Sequence, residues 1–144
     1  MKIDDIYNEW EKDSQIDRTE LGEESLKIPK LHHKYFKIFT HERLVLRKQE
    51  ADLKQLKLEK QEFYTLGPTE ETHERGWQLP PRGKVLKSEV SHYIDADKDI
   101  VNLSLKIGIQ QEKIELLESI IKSLTGRGFN IKAAIEWEKF KVGI

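Results

Sequence analysis

Between Ile100 and Leu124 the apolar positions fall at Ile100, Leu103, Ile107, Ile114, Leu117, Ile121 and Leu124, with Gln110 filling the one polar step. The steps alternate three and four without a slip, which is a heptad seam with isoleucine at a and leucine at d. Such a seam predicts a helix that packs along its length against another helix, and in a chain this short the expected partner is a second copy. Ile at a with Leu at d favours two strands. A flanking apolar set, Leu105, Ile109, Leu116 and Ile120, gives the same helix a second adhesive face. Two such faces suit a bundle or a closed ring, because a head-to-tail contact must close or grow without limit. Gln110 at a d position costs stability and fixes register and strand number.

The remaining pattern is helical throughout. Ile3, Ile6, Tyr7 and Trp10 predict a short amphipathic helix over residues 2–13. Asp17 and Thr19 are N-cap candidates for a second helix. Pro29 predicts a break or kink just before it, or the first turn of a new helix. From Lys30 to Tyr64 there is neither Gly nor Pro, and Leu31, Tyr35, Ile38, Leu46, Leu53, Leu56 and Phe63 keep helical spacing. This predicts one long helix, or two end to end, stopped by Leu66-Gly67-Pro68. Residues 67–83 hold three prolines and three glycines and read as a linker. A short helix follows around Val85, Leu86, Val90 and Tyr93. Asp95, Asp97 and Asp99 then open the seam helix, where carboxylates favour the positive end of the helix dipole. Gly126 and Gly128 are expected to end it, and Asn130 to cap a last helix carrying Ile131, Ala134, Ile135 and Phe140, with Trp137 at its edge. No strand signal and no repeat is present. The fold class expected is all-α: a helical domain over 1–66, a linker over 67–83, and a C-terminal coiled-coil-like oligomerisation domain over 84–144.

Composition changes this picture mainly through charge. The 144 residues are 37% apolar and 35% charged, with net charge −1. That total conceals segregation. Residues 1–26 carry three Lys/Arg against nine Asp/Glu, while residues 27–60 carry ten against four. An acidic head followed by a basic segment implies a polyanion partner for one, or pairing between the two. The absence of cysteine removes disulfides and thiolate chemistry, and suits a reducing compartment. No uncharged run approaches the roughly 18 residues of a membrane span, and the acidic start is not a signal peptide, so a soluble cytoplasmic protein is expected.

The basic segment is the main candidate site. Lys54, Lys57 and Lys60 are three apart and, together with Arg47, can lie broadly on one side of a helix as phosphate contacts, and Tyr35, Phe36, Phe39, Phe63 and Tyr64 can stack on bases where exposed. The competing reading is a solvated face neutralised by the acidic head. Asp95-Ala96-Asp97-Lys98-Asp99 resembles the start of a calcium loop, but Ile100 and Lys106 stand where Gly and Glu are needed, so helix initiation is preferred. His32, His33, His41, His73 and His92 include no pair at i, i+4 spacing, so no metal site is expected. Thr125-Gly126-Arg127-Gly128 is read as a helix stop before an anion cradle. No serine elbow, nucleotide loop or catalytic constellation is found, and neither enzyme activity nor a cofactor is expected.

Several runs resemble a known family. They are Lys12-Asp13 followed by Ile16-Asp17, Thr19 and Leu21; Ala96-Asp97-Lys98-Asp99; and Ile121-Lys122-Ser123 followed by Arg127-Gly128-Phe129, Ile131-Lys132 and Phe140. In that order and spacing they resemble the UvsY-type recombination mediators of T-even-like bacteriophages, over nearly the whole length. The resemblance implies an all-α protein of the infected bacterial cytoplasm that binds single-stranded DNA. It implies a ring-like homo-oligomer, a hexamer or heptamer, built by the C-terminal region through Ile100, Leu103, Ile107, Gln110, Ile114, Leu117, Ile121 and Leu124. It implies as partners a RecA-class phage recombinase and the phage single-strand-binding protein that coats the DNA. The family's basic motif lies just ahead of an acid and an aromatic pair, matched here by Glu62, Phe63 and Tyr64. Lys60 matches its second basic position; the first aligns to Leu58, with Lys57 adjacent. The expected DNA-binding residues are therefore Arg47, Lys48, Lys54, Lys57, Lys60 and Tyr64. Two alternatives stand beside this: a coiled-coil scaffold without a DNA role, its acidic head folded onto the basic helix, and a small regulator that reads duplex DNA.

Overall fold

The computed structural model describes all residues 1–144 and contains five helices and no strand. They are α1 (Ile3–Asp13), α2 (Leu21–Leu66), α3 (Glu70–Glu74), α4 (Val90–Asp95) and α5 (Lys98–Lys141). The chain is all-α, and two helices of 46 and 44 residues dominate it.

α2 begins one residue after Glu20, with Glu23 and Glu24 in its first turn facing the positive end of the dipole. Asp17 shapes the turn ahead of it instead of capping it: its Oδ1 accepts from the Thr19 amide at 2.9 Å and the Thr19 hydroxyl at 2.6 Å. Pro29 does not break α2. Its ring removes one N–H from the ladder, yet the apolar stripe on either side holds the helix together. α2 stops at Leu66, where Gly67 takes φ +99° and its N–H bonds the Phe63 carbonyl at 3.0 Å. That is the glycine C-terminal stop expected from the sequence.

α5 likewise runs on where the sequence predicts a stop. Gly126, Gly128 and Asn130 all lie inside it, and none has positive φ. Leu124 and Ile131 are buried on either side of the glycines, so the core stripe spans them and packing overrides local propensity.

The chain forms two compact units that interleave in sequence. The first comprises Met1–Leu44 with Gln111–Ile144, and the second Val45–Gln110. Each long helix thus gives part of itself to each unit, a different partition from three consecutive segments.

In the first unit, α1 buries Ile6 completely and sets the Trp10 ring edge-on to Tyr35 at 5.5 Å. Tyr35, Phe39, Ile114, Leu117, Ile120, Leu124 and Ile131 complete the core. In the second unit the core is Phe63, Tyr64, Val85, Val90, Ile94 and Ile100, with Leu53, Leu56, Trp77, Leu79 and Tyr93 packed against it. Residues 67–83 are therefore more than a linker. They carry α3, capped by Thr69, and lay Trp77 and Leu79 on the core.

Candidate nucleic-acid interface

The expected DNA-contacting residues separate into two groups. Arg47, Lys48, Lys54 and Lys57 are exposed on α2. Arg47, Lys54 and Lys57 fall within about 80° around the helix axis at 100° per residue. None of these three is in an ion pair; Lys48 pairs only with exposed Asp52 at 3.3 Å, one turn away. Exposed pairs of that kind are worth at most about 0.5 kcal/mol, so Lys48 is readily released. Glu50 shares the sector and Leu58, half-exposed at 51%, borders it.

Lys60 and Tyr64 lie elsewhere. Lys60 is only 3% exposed, and its Nζ sits 3.1 Å from Asp97 and 2.8 Å from Asp99. The same ammonium lies 3.8 Å from the Trp77 ring centroid. Tyr64 is buried and donates its hydroxyl to Asp97 at 2.6 Å. Asp97 is the N-cap of α5, accepting from the Asp99 and Ile100 amides at 2.9 and 3.2 Å. Burial alone would raise the Asp97 carboxyl; the Tyr64 hydroxyl, the Lys60 ammonium and the Ile100 amide outweigh it and hold it below the ordinary carboxylate range. Burial, and then donation to that carboxylate, pushes the Tyr64 phenol up. Lys60, Tyr64 and Asp97 thus form a satisfied internal network. Sequence spacing missed this because its partners lie over thirty residues away, beyond the linker-like stretch.

Beyond the local Lys27–Glu24 pair on α2 at 3.0 Å, the acidic head reaches the basic segment at one point. Lys34 bonds Glu9 at 2.8 Å and Asp13 at 2.6 Å, and Tyr35 donates to the same Asp13 at 2.7 Å. Arg127, read as part of a helix stop, is 4% exposed and donates to the carbonyls of Asp13, Ser14 and Gln15 at 2.8, 3.2 and 2.9 Å. Its guanidinium closes the negative end of α1. Nothing in the local sequence announces that role.

The seam residues are placed inside the chain. Ile100, Ile107, Gln110, Ile114, Leu117 and Leu124 are buried by the chain's own residues, and Leu103 and Ile121 are half-buried. The seam is filled before any second copy arrives. What α5 leaves open is Val101, Leu105 and Ile109, and further on Phe129, Trp137 and Phe140. No group of His, Cys, Asp or Glu is placed to hold a metal, and no helix is long and apolar enough to cross a membrane.

Residues 9–144 match the model of a protein family described as recombination, repair and ssDNA binding protein UvsY. The chain belongs to the UvsY family. Its fold is that family's fold: a crystal structure of the bacteriophage T4 recombination mediator protein UvsY superposes with TM-score 0.80 at 22% identity, covering 99% of this chain and 98% of that one. A second T4 UvsY crystal form gives TM-score 0.79 at 20% identity, covering 98% and 99%. Sequence comparison with curated proteins returns no match.

Proposed function

We propose that this chain is a recombination mediator that binds single-stranded DNA through Arg47, Lys48, Lys54 and Lys57. It works as a ring-like homo-oligomer and promotes loading of a RecA-class recombinase onto DNA coated with single-strand-binding protein. The observation that carries the reading is a row of exposed cations without strong partners, on a long helix, in a member of a single-strand-binding family. One such face binds weakly; several copies held in one assembly act at high effective concentration and bind tightly without new contacts. A strand that touches several faces is bent, which loosens its coat and opens it to the recombinase.

The assembly is held by the apolar side chains that α5 leaves outside the core. Val101, Leu105 and Ile109 recur every fourth residue and are 39%, 62% and 59% exposed. Leu105→Glu with Ile109→Glu should lower the native mass and the DNA affinity together while the helical signal persists. A smaller species that binds as tightly would remove multivalency from the mechanism.

The decisive test is affinity for an oligothymidylate as a function of salt. Lys54→Ala with Lys57→Ala should weaken binding and reduce the slope of log K against log salt by about 0.7 per lost contact. Unchanged affinity and slope would reject this face. No retention on single-stranded DNA at physiological salt would favour the scaffold instead.

A further inference from the structure

Basic residues explain how a strand is attracted, but the 47–57 face offers no exposed ring on which a base can rest. Of the aromatic residues in and just beyond the basic segment, Tyr35, Phe39, Phe63 and Tyr64 are all buried. Phe36 is the exception, 48% exposed on α2 within the first unit.

Phe36 lines an open groove of about 400 Å³ together with His33, Lys37, Thr40, His41 and Leu44. His32 lies almost parallel to the Phe36 ring, with centroids 5.7 Å apart and planes 13° apart. Lys37 is exposed and has no carboxylate partner. No carboxylate lines the groove. The nearest acid in sequence, Glu42, is 3% exposed and already engages Lys113 at 3.3 Å. All lining residues come from one helix over about 16 Å of its length. A lining with a cation and no carboxylate complements a polyanion, and stacked bases need only one ring and one cation.

We propose that the Phe36 groove is a base-stacking subsite for single-stranded nucleic acid: Phe36 takes the face of a base, Lys37 the adjoining phosphate, and Leu44 the sugar or the next base. It rests on the single-strand-binding reading above and adds to it a contact that depends on bases and not on charge. The subsite is indifferent to base identity, since every base has a π-face.

The test compares the full-length wild type with Phe36→Ala, Phe36→Trp and Lys37→Ala. Each binds an oligothymidylate and an abasic oligonucleotide of equal length, with native mass recorded for every variant. Phe36→Ala should weaken the thymidylate complex by about 5- to 150-fold, the range for loss of one base–aromatic stack, and leave the abasic complex unchanged. Phe36→Trp should restore wild-type affinity. Lys37→Ala should weaken both complexes alike. Equal losses on the two oligonucleotides, or none, would overturn the subsite while leaving the 47–57 face standing. Binding of an acidic apolar peptide that Phe36→Ala abolishes, with DNA affinity intact, would overturn it in favour of a protein partner. A wild type that binds neither oligonucleotide would bring down the function itself, and the subsite with it.

Discussion

Lys60→Met separates a structural lysine from a DNA-contacting one. Methionine keeps the stem and its packing but removes the ammonium that Asp97 and Asp99 share. Asp97, 8% exposed, then keeps the Tyr64 hydroxyl and two backbone amides but loses its only cation. Leaving half of a buried ion pair costs about 3–5 kcal/mol. The three surviving hydrogen bonds place this case toward the lower end, and loss of the cation over Trp77 adds to it. We expect a loss of about 3 kcal/mol in urea denaturation followed by circular dichroism. Adding Asp97→Asn should return much of that, because the double variant buries no unpaired charge.

The second half of the test is DNA binding under conditions where the variant remains folded. Reaching a phosphate would require Lys60 to leave two ion pairs and a ring, so Lys60→Met should leave the salt slope as it is. Lys57→Ala should reduce it by about 0.7. A Lys60→Met protein of intact stability whose slope falls by a similar amount would refute the structural role of Lys60. In that case the Asp97–Asp99 pair is only a resting place for a DNA-binding lysine.

Three further outcomes are expected. Arg127→Ala, which removes three charge-assisted bonds to the end of α1, should destabilise the chain by about 3 kcal/mol or more in chemical denaturation, and Arg127→Lys should recover only part of it. Gly126→Ala and Gly128→Ala should each stabilise by about 0.5–1 kcal/mol on thermal melting, since both are helical and an added methyl meets nothing closer than Ile28 at 3.9 Å. Stability measured against pH should fall at both ends. Burial alone would raise Asp13 and Asp97, but hydrogen bonds from Lys34 and Tyr35, and from Tyr64 and Lys60, hold both below the ordinary 3.8, so their contribution is present above that value and lost as pH falls through their folded values. Burial and then the same carboxylates raise Tyr35 and Tyr64 above 10.0, so theirs is present below pH 10 and lost as pH climbs toward their folded values.

Periodicity made the helices legible, and punctuation misled where packing was stronger. The 3.6-residue stripe located α1 within a residue and the central parts of both long helices, but α2 extends back to Leu21 and α5 on to Lys141. Pro29, Gly126 and Gly128 are ordinary stop signals, yet each lies inside a helix: Leu124 and Ile131 are buried on either side of the glycines, and half-buried Ile28 and Leu31 flank Pro29. The heptad from Ile100 to Leu124 named the buried face of α5 well, with six of its eight positions buried. It could not name the partner. A helix of 44 residues finds one of 46 residues within the same chain, and a repeating a/d stripe reads alike whether the opposing helix is covalently attached or not. Tertiary ion pairs were illegible for a different reason. Lys60 and Lys57 have the same side chain three residues apart, and only the arrival of Asp97 and Asp99 distinguishes them.

That distinction gives the charge segregation its meaning. A cation already paired with a carboxylate gains little from a phosphate, because it must give up one anion to meet another; an unpaired exposed cation gains the full release of counterions. Along α2, Lys34 and Lys60 are of the first kind, and Lys37, Arg47, Lys54 and Lys57 of the second. The acidic head and the Asp97–Asp99 pair therefore select, out of a uniformly basic stretch, which positions are left for a polyanion. The lysine count of residues 27–60 overstates the charge open to a polyanion, and under the proposed function the pattern of pairing limits where on the helix a strand can lie.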